Sequence, residues 1–185
     1  MALVGVITED PVRRDRSGIL SILGLVLRLG LAAVWFISGF AKASDPRETR
    51  VAVRAYQLLS PAVADVVAAI LPWLEIGVGV LLLFGLATRL AGALSALLLV
   101  AFLIGVISAA ARGLSIDCGC FGGGGQVAAG QTAYTWEIVR DSVFLLAAGY
   151  LIVRPRSWFS VDGLVGGRSR AFAEDADPDP DPDPA

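Results

Sequence analysis

From Leu90 to Ala111 the chain carries no charged residue at all. At the helical rise such a run is roughly 33 Å long, about the thickness of a bilayer's hydrocarbon core. A backbone in lipid must satisfy its own hydrogen bonds, so a single segment there has to be a helix. Three more apolar runs lie along the chain. Ile19 to Ala41 is broken only by Arg28. A second begins near Pro61 or Val66, ends about Leu86, and contains Pro72, Trp73 and Glu75. The last, Tyr134 to Val153, carries Glu137, Arg140 and Asp141 in its first two turns. Pro72 is expected to kink its helix or end its first segment, because proline lacks the N–H and crowds the preceding turn. The first run exceeds a signal-peptide core of about 7–15 residues and contains an arginine, so it is expected to stay as a span.

Composition points the same way: 17% of residues are charged, against about a quarter in soluble domains. The expected fold is an all-α integral membrane protein, a four-transmembrane-helix bundle over residues 19–153. A cytoplasmic tail, 1–18, precedes it. Residues 154–185 turn basic and then into Asp-Pro repeats, a composition that builds neither helix nor core and is expected to be disordered. The lipid bilayer is the implied partner, and nothing suggests nucleic acid. Residues 42–60, with alternating charges from Arg47 to Arg54, suit a short helix lying at the interface.

Four spans put both ends of the chain on one side. With the termini inside, the inner face carries Arg13, Arg14, Arg16, Arg89, Arg154, Arg156, Arg168 and Arg170. The outer face carries fewer bases: Lys42, Arg47, Arg50, Arg54 and Arg112. The positive-inside rule therefore puts the termini in the cytoplasm of a multi-pass plasma-membrane protein. The connection after Leu90–Ala111 then lies outside.

That connection, about Arg112 to Ala133, holds both cysteines of the chain, Cys118 and Cys120, with Gly119 between them. Glycines at 113, 119, 122, 123, 124, 125 and 130 rule out a regular helix. A disulfide needs a Cα separation of about 4.4–6.8 Å, so two cysteines this close bond only where the backbone folds back. Such a small ring is strained, and strained disulfides are oxidising and labile. Redox work, a stiffened loop and soft-metal binding all remain open. Asp117 does not complete a tetrahedral zinc site, and no resident metal is expected. The chain has no histidine, which removes a histidine base, haem ligand or zinc ligand from this chain. If the cysteines exchange disulfides, Asp117 opposes a thiolate at Cys118. Cys120 is then the attacking thiol and Cys118 the resolving one.

Charges inside the spans are costly and usually find partners within the bundle. Counted from the span ends, Arg28 and Glu75 reach similar depths, so an ion pair between them is expected. The sharper alternative is a proton or quinone-headgroup site, although no cofactor is evident. Arg140 and Asp141 lie under the cysteine loop, where interfacial snorkelling is the plain expectation.

Several stretches resemble a known group. Arg28 with Ser38-Gly39-Phe40-Ala41-Lys42-Ala43-Ser44-Asp45-Pro46, and Glu75-Ile76-Gly77-Val78-Gly79 followed by Leu81 to Arg89, look like the DoxX-like membrane proteins. Asp117-Cys118-Gly119-Cys120-Phe121-Gly122 narrows the resemblance to the MauE branch, the methylamine-utilisation membrane proteins. It covers about residues 20–155. It implies a four-span protein linked to disulfide formation in the small subunit of methylamine dehydrogenase, acting beside a thioredoxin-like or DsbA-like partner. It implies Cys118 and Cys120 as the redox pair, with Arg28 and Glu75 as bundle residues. A membrane scaffold or assembly factor without catalysis is the rival, and soft-metal handling a third.

Overall fold

The computed structural model describes residues 11–119, 124–128 and 132–154, with side chains from Ile19 onward. Both expected tails and Cys120 lie outside the described residues or their side chains. The elements are α1 (Pro11–Ser44), α2 (Pro46–Ala55), α3 (Pro61–Phe84), α4 (Thr88–Ala111), β1 (Ile116–Asp117), β2 (Gly125–Gln126) and α5 (Tyr134–Val153).

Among the described residues three helical segments are long and apolar enough to cross a membrane: Ile19–Ser44, Pro61–Phe84 and Thr88–Ala111. The fourth long helix, α5, is less apolar because Glu137, Arg140 and Asp141 crowd its first two turns. Helix α1 packs mainly on α3, α4 mainly on α5, and α1–α5 and α3–α4 contacts close the ring. Trp35 ties the two pairs together through the core, where its Nε1 donates to Ser95 Oγ at 2.9 Å.

Local sequence explains the ends. Asp45 caps α2, its Oδ1 accepting from the N–H groups of Arg47 and Glu48 at 3.0 and 2.9 Å. Pro46 occupies the first turn, where its missing N–H costs nothing. Gly85 ends α3 at φ 63°. Leu86 N–H bonds Leu81 C=O at 3.0 Å, a Schellman closure that allows the short turn into α4. Of the two outcomes expected at Pro72, a kink or an end to the first segment, the end does not occur, since α3 runs through it unbroken. Its carbonyl lies against α1 at Gly39, where an added Cβ would sit 3.0 Å from that oxygen and 2.7 Å from Ile76 Cγ1.

Polarity is reversed relative to a soluble protein. Arg28, Ser38, Lys42, Glu75, Thr88, Ser95, Glu137 and Asp141 are buried, while Ile19, Phe40, Trp73, Leu97 and Leu146 face outward. With lipid as solvent, that is the arrangement that burial costs dictate. The chain is a multi-pass membrane protein by this measure.

Candidate functional site

Two polar groups lie at the end of the bundle that bears α2 and the cysteine loop: Asp117, Cys118 and Glu137, and Ser38, Lys42 and Glu75. The loop has more order than its glycines suggest. β1 and β2 pair antiparallel, with Ile116 opposite Gln126 and Asp117 opposite Gly125. The Tyr134 hydroxyl donates to Leu114 C=O at 2.6 Å and accepts from Ile116 N–H at 3.3 Å. From α2's end, the Tyr56 hydroxyl donates to Cys118 C=O at 3.1 Å. Arg112 reaches back to Gln57 C=O at 3.5 Å and also to Tyr56 C=O. Helix α2 packs its buried side, Thr49 and Ala52, toward the loop. The loop is thereby seated on a helical shelf.

Cys118 is half-buried in this seat. Its neighbour across the loop is Glu137, one turn into α5, only 4% exposed. The Glu137 carboxylate accepts from both the thiol and the backbone N–H of Cys118. Its Oε2 has no hydrogen-bond partner. Asp117 joins the group, and one side-chain donor atom from each of the three lies within 4.8 Å of the others. One sulfur and two carboxylates fall short of a closed tetrahedral zinc site, and we assign them no metal. One turn deeper, Arg140 Nη2 lies 2.9 Å from Asp141 Oδ1, so this adjacent pair is turned inward together. Asp141 is 3% exposed and the Arg140 side chain 16%.

Below the loop is a second group. Lys42 Nζ lies 3.0 Å from Glu75 Oε1 and donates to Oε2 at 3.1 Å. Ser38 Oγ donates to the same Oε2 at 3.0 Å and accepts from Lys42 at 2.6 Å. The Lys42 ammonium also sits 5.7 Å from the Phe102 ring centre. A cavity of about 50 Å³, lined by Lys42, Thr49, Tyr56, Phe102, Cys118 and Gly119, separates the two groups. That volume holds a few waters.

The expected Arg28–Glu75 pair is corrected by this geometry: the ion-pair partner of Glu75 is Lys42. The glycine contacts give the register. Gly39 meets Pro72 and Ile76, and Gly79 meets Ala32 and Phe36. Continued along the antiparallel pair, it sets Arg28 opposite the C-terminal end of α3, roughly 15 Å from the level of Glu75. Counting depth from the span ends assumed that α1 and α3 end level. They do not, because α3 starts beside α2, where Arg54 grips Asp65 at 2.8 and 2.5 Å. Arg28 is nonetheless buried, at 2% exposure.

Of the residues expected from sequence, the structure brings Cys118 and Asp117 together, with Arg140 and Asp141 in the turn beneath. It places Glu75 across the cavity and Arg28 far away. Sequence reasoning missed Glu137 and Lys42 as site residues. Glu137 carried a signal, being an acid in the first turn of an apolar helix just after the cysteines.

No curated protein and no solved structure matches the chain. The sequence model described as methylamine utilisation protein MauE matches residues 20–154, from the first span to the end of α5. Covering most of the chain and both polar groups, that match makes this protein a member of the MauE family of methylamine-utilisation membrane proteins.

Proposed function

We propose that this protein exchanges disulfides with a thioredoxin-like or DsbA-like protein outside the cytoplasm, using Cys118 and Cys120, in support of disulfide formation in exported proteins. Family membership supports a role associated with methylamine utilisation. The observation that carries the exchange reading is the seat of Cys118. A thiol half-open to solvent, fixed through its carbonyl by Tyr56 and bonded to a buried carboxylate, suits exchange better than a loop staple.

In this reading α5 is the fourth span. It turns Glu137 and Asp141 inward and presents Trp136, Val139, Val143, Leu146 and Val153 outward. The loop then stands at the outer face, with both ends of the chain inside. The exchange balances without a further reagent. A partner thiolate attacks Cys120 Sγ of the Cys118–Cys120 disulfide, and Cys118 leaves as a thiol. The second partner thiolate attacks the partner's own sulfur in the mixed disulfide, and Cys120 leaves. The partner loses two electrons and the cysteine pair gains them.

Trapping tests it in whole cells. With Cys118→Ser, a mixed disulfide through Cys120 should accumulate on non-reducing gels, because the resolving thiol is gone. With Cys120→Ser, much less should form. A membrane-impermeant maleimide should label the remaining cysteine in both variants. Trapping through Cys118 alone would reverse the roles. No trapping by either variant assigns the scaffold role, and no labelling in intact cells overturns the orientation.

A further inference from the structure

The exchange reaction needs a group to take and return the proton on Cys118. We infer that Glu137 is the proton acceptor and donor for the Cys118 thiol, a catalytic carboxylate contributed by α5 to the cysteine loop; this rests on the exchange reading above.

The geometry carries it. The Cys118 sulfur and a Glu137 carboxylate oxygen lie within 4.8 Å of each other, and the carboxylate takes hydrogen bonds from both the side chain and the backbone N–H of Cys118. The two bonds hold the carboxylate against the sulfur whichever side the proton is on. Oε2 is buried without a partner, so the carboxylate has an open position for a proton. Glu137 has no ion-pair partner among the described residues. The nearby guanidinium, Arg140, is held by Asp141 on the same helix. The other ionisable groups on the thiol's side of the bundle are Asp117 on β1, Lys42 across the cavity with Glu75 bonded behind it, and Tyr56. Lys42 is already engaged by Ser38 and Glu75. Glu137 is hydrogen-bonded to the thiol itself.

The step is simple. When Cys118 attacks a disulfide, its S–H proton passes to Glu137. The sulfur lone pair forms the new S–S bond, and the old S–S electron pair departs on the leaving sulfur. When Cys118 is the leaving group, Glu137 returns the proton. The carboxylate therefore acts in both directions, as a positioned acid or base does. The Asp117 carboxylate beside the sulfur works against a separate thiolate, so proton transfer in the same movement as attack is the route the proposal takes.

Glutathione disulfide is the probe, and the full-length protein in nanodiscs with chelator present is the sample. In a Cys120→Ser background Cys118 is the sole thiol, and the rate of its glutathionylation is followed against pH. Glu137→Gln should slow the reaction about tenfold or more at neutral pH. It should also move the pH midpoint toward the free-thiol value of about 8.5 or above. Glu137→Asp, which keeps the carboxylate, should recover part of the rate. A merely electrostatic carboxylate predicts the opposite sign, since removing its charge would favour the thiolate. A faster Glu137→Gln protein, or an unchanged midpoint in both variants, would overturn the assignment. The probe needs no protein partner, so failure of the trapping experiment and failure of this one are separate results.

Discussion

Replacing Lys42 by methionine should destabilise the full-length protein by about 3–5 kcal/mol, the usual cost of leaving one member of a buried ion pair alone. Glu75 is 0% exposed and Lys42 6%, so neither charge can turn to water when its partner goes. Ser38 cannot substitute for the lysine, because its single hydroxyl proton already goes to Glu75. Glu75→Gln should also destabilise, by leaving the ammonium with Ser38 and the Phe102 ring alone. The double variant Lys42→Met with Glu75→Gln should recover much of the loss, since no net charge is then buried. Thermal unfolding in nanodiscs, run as a double-mutant cycle, measures the coupling. Losses that simply add would show that the two charges do not support each other. The same cycle with Arg28 in place of Lys42 should show little coupling to Glu75.

Gly124→Val should unseat the cysteine loop while leaving the helices intact. Gly124 sits at φ +114°, and an added Cβ would lie 2.6 Å from Ala52 Cβ and 3.0 Å from Gly119 Cα. Neither obstacle is the loose end of a long side chain: one is a methyl on the α2 shelf, the other is backbone. Strain at such a φ costs about 1–3 kcal/mol, and the overlap adds a similar amount. A docking loss of about 3 kcal/mol is more than a hundredfold in the undocked fraction. Labelling of Cys118 by an impermeant maleimide, in the Cys120→Ser background, should rise accordingly, with helical circular dichroism unchanged. Gly113→Ala is the control. Its φ of +65° brings strain, but nothing lies within 4 Å, so its labelling should change far less. Wild-type labelling in Gly124→Val would mean that the loop is not held by α2.

Much of the fold was legible because bilayer thickness and helical rise leave few choices. The run beginning near Pro61 became α3, the run from Leu90 became α4, and Tyr134 to Val153 became α5. The short ladder in the glycine-dense connection was not foreseen, since two-residue strands leave no periodic trace. The errors share a cause. Pairing Arg28 with Glu75 used depth along single helices, whereas register between helices is set by close approach at Gly39 and Gly79. Lys42 was read as part of a polar connection because charge marks the end of an apolar run, yet α1 continues to Ser44 and carries it inside. Glu137 meets Cys118 only because the loop folds back over the first turn of α5, a tertiary event that spacing along the chain does not encode.

The pairing of α1 with α3 and of α4 with α5 bears on how the chain is made. Synthesis delivers Lys42 before Glu75. When α3 leaves the ribosome, the base that neutralises its one membrane-embedded acid is already in place on α1. The first half can thus bring its charge inward before α4 exists. The second half follows as another hairpin, with the cysteine loop at its tip. The half-buried Cys118 is then fitted last, onto a shelf already standing.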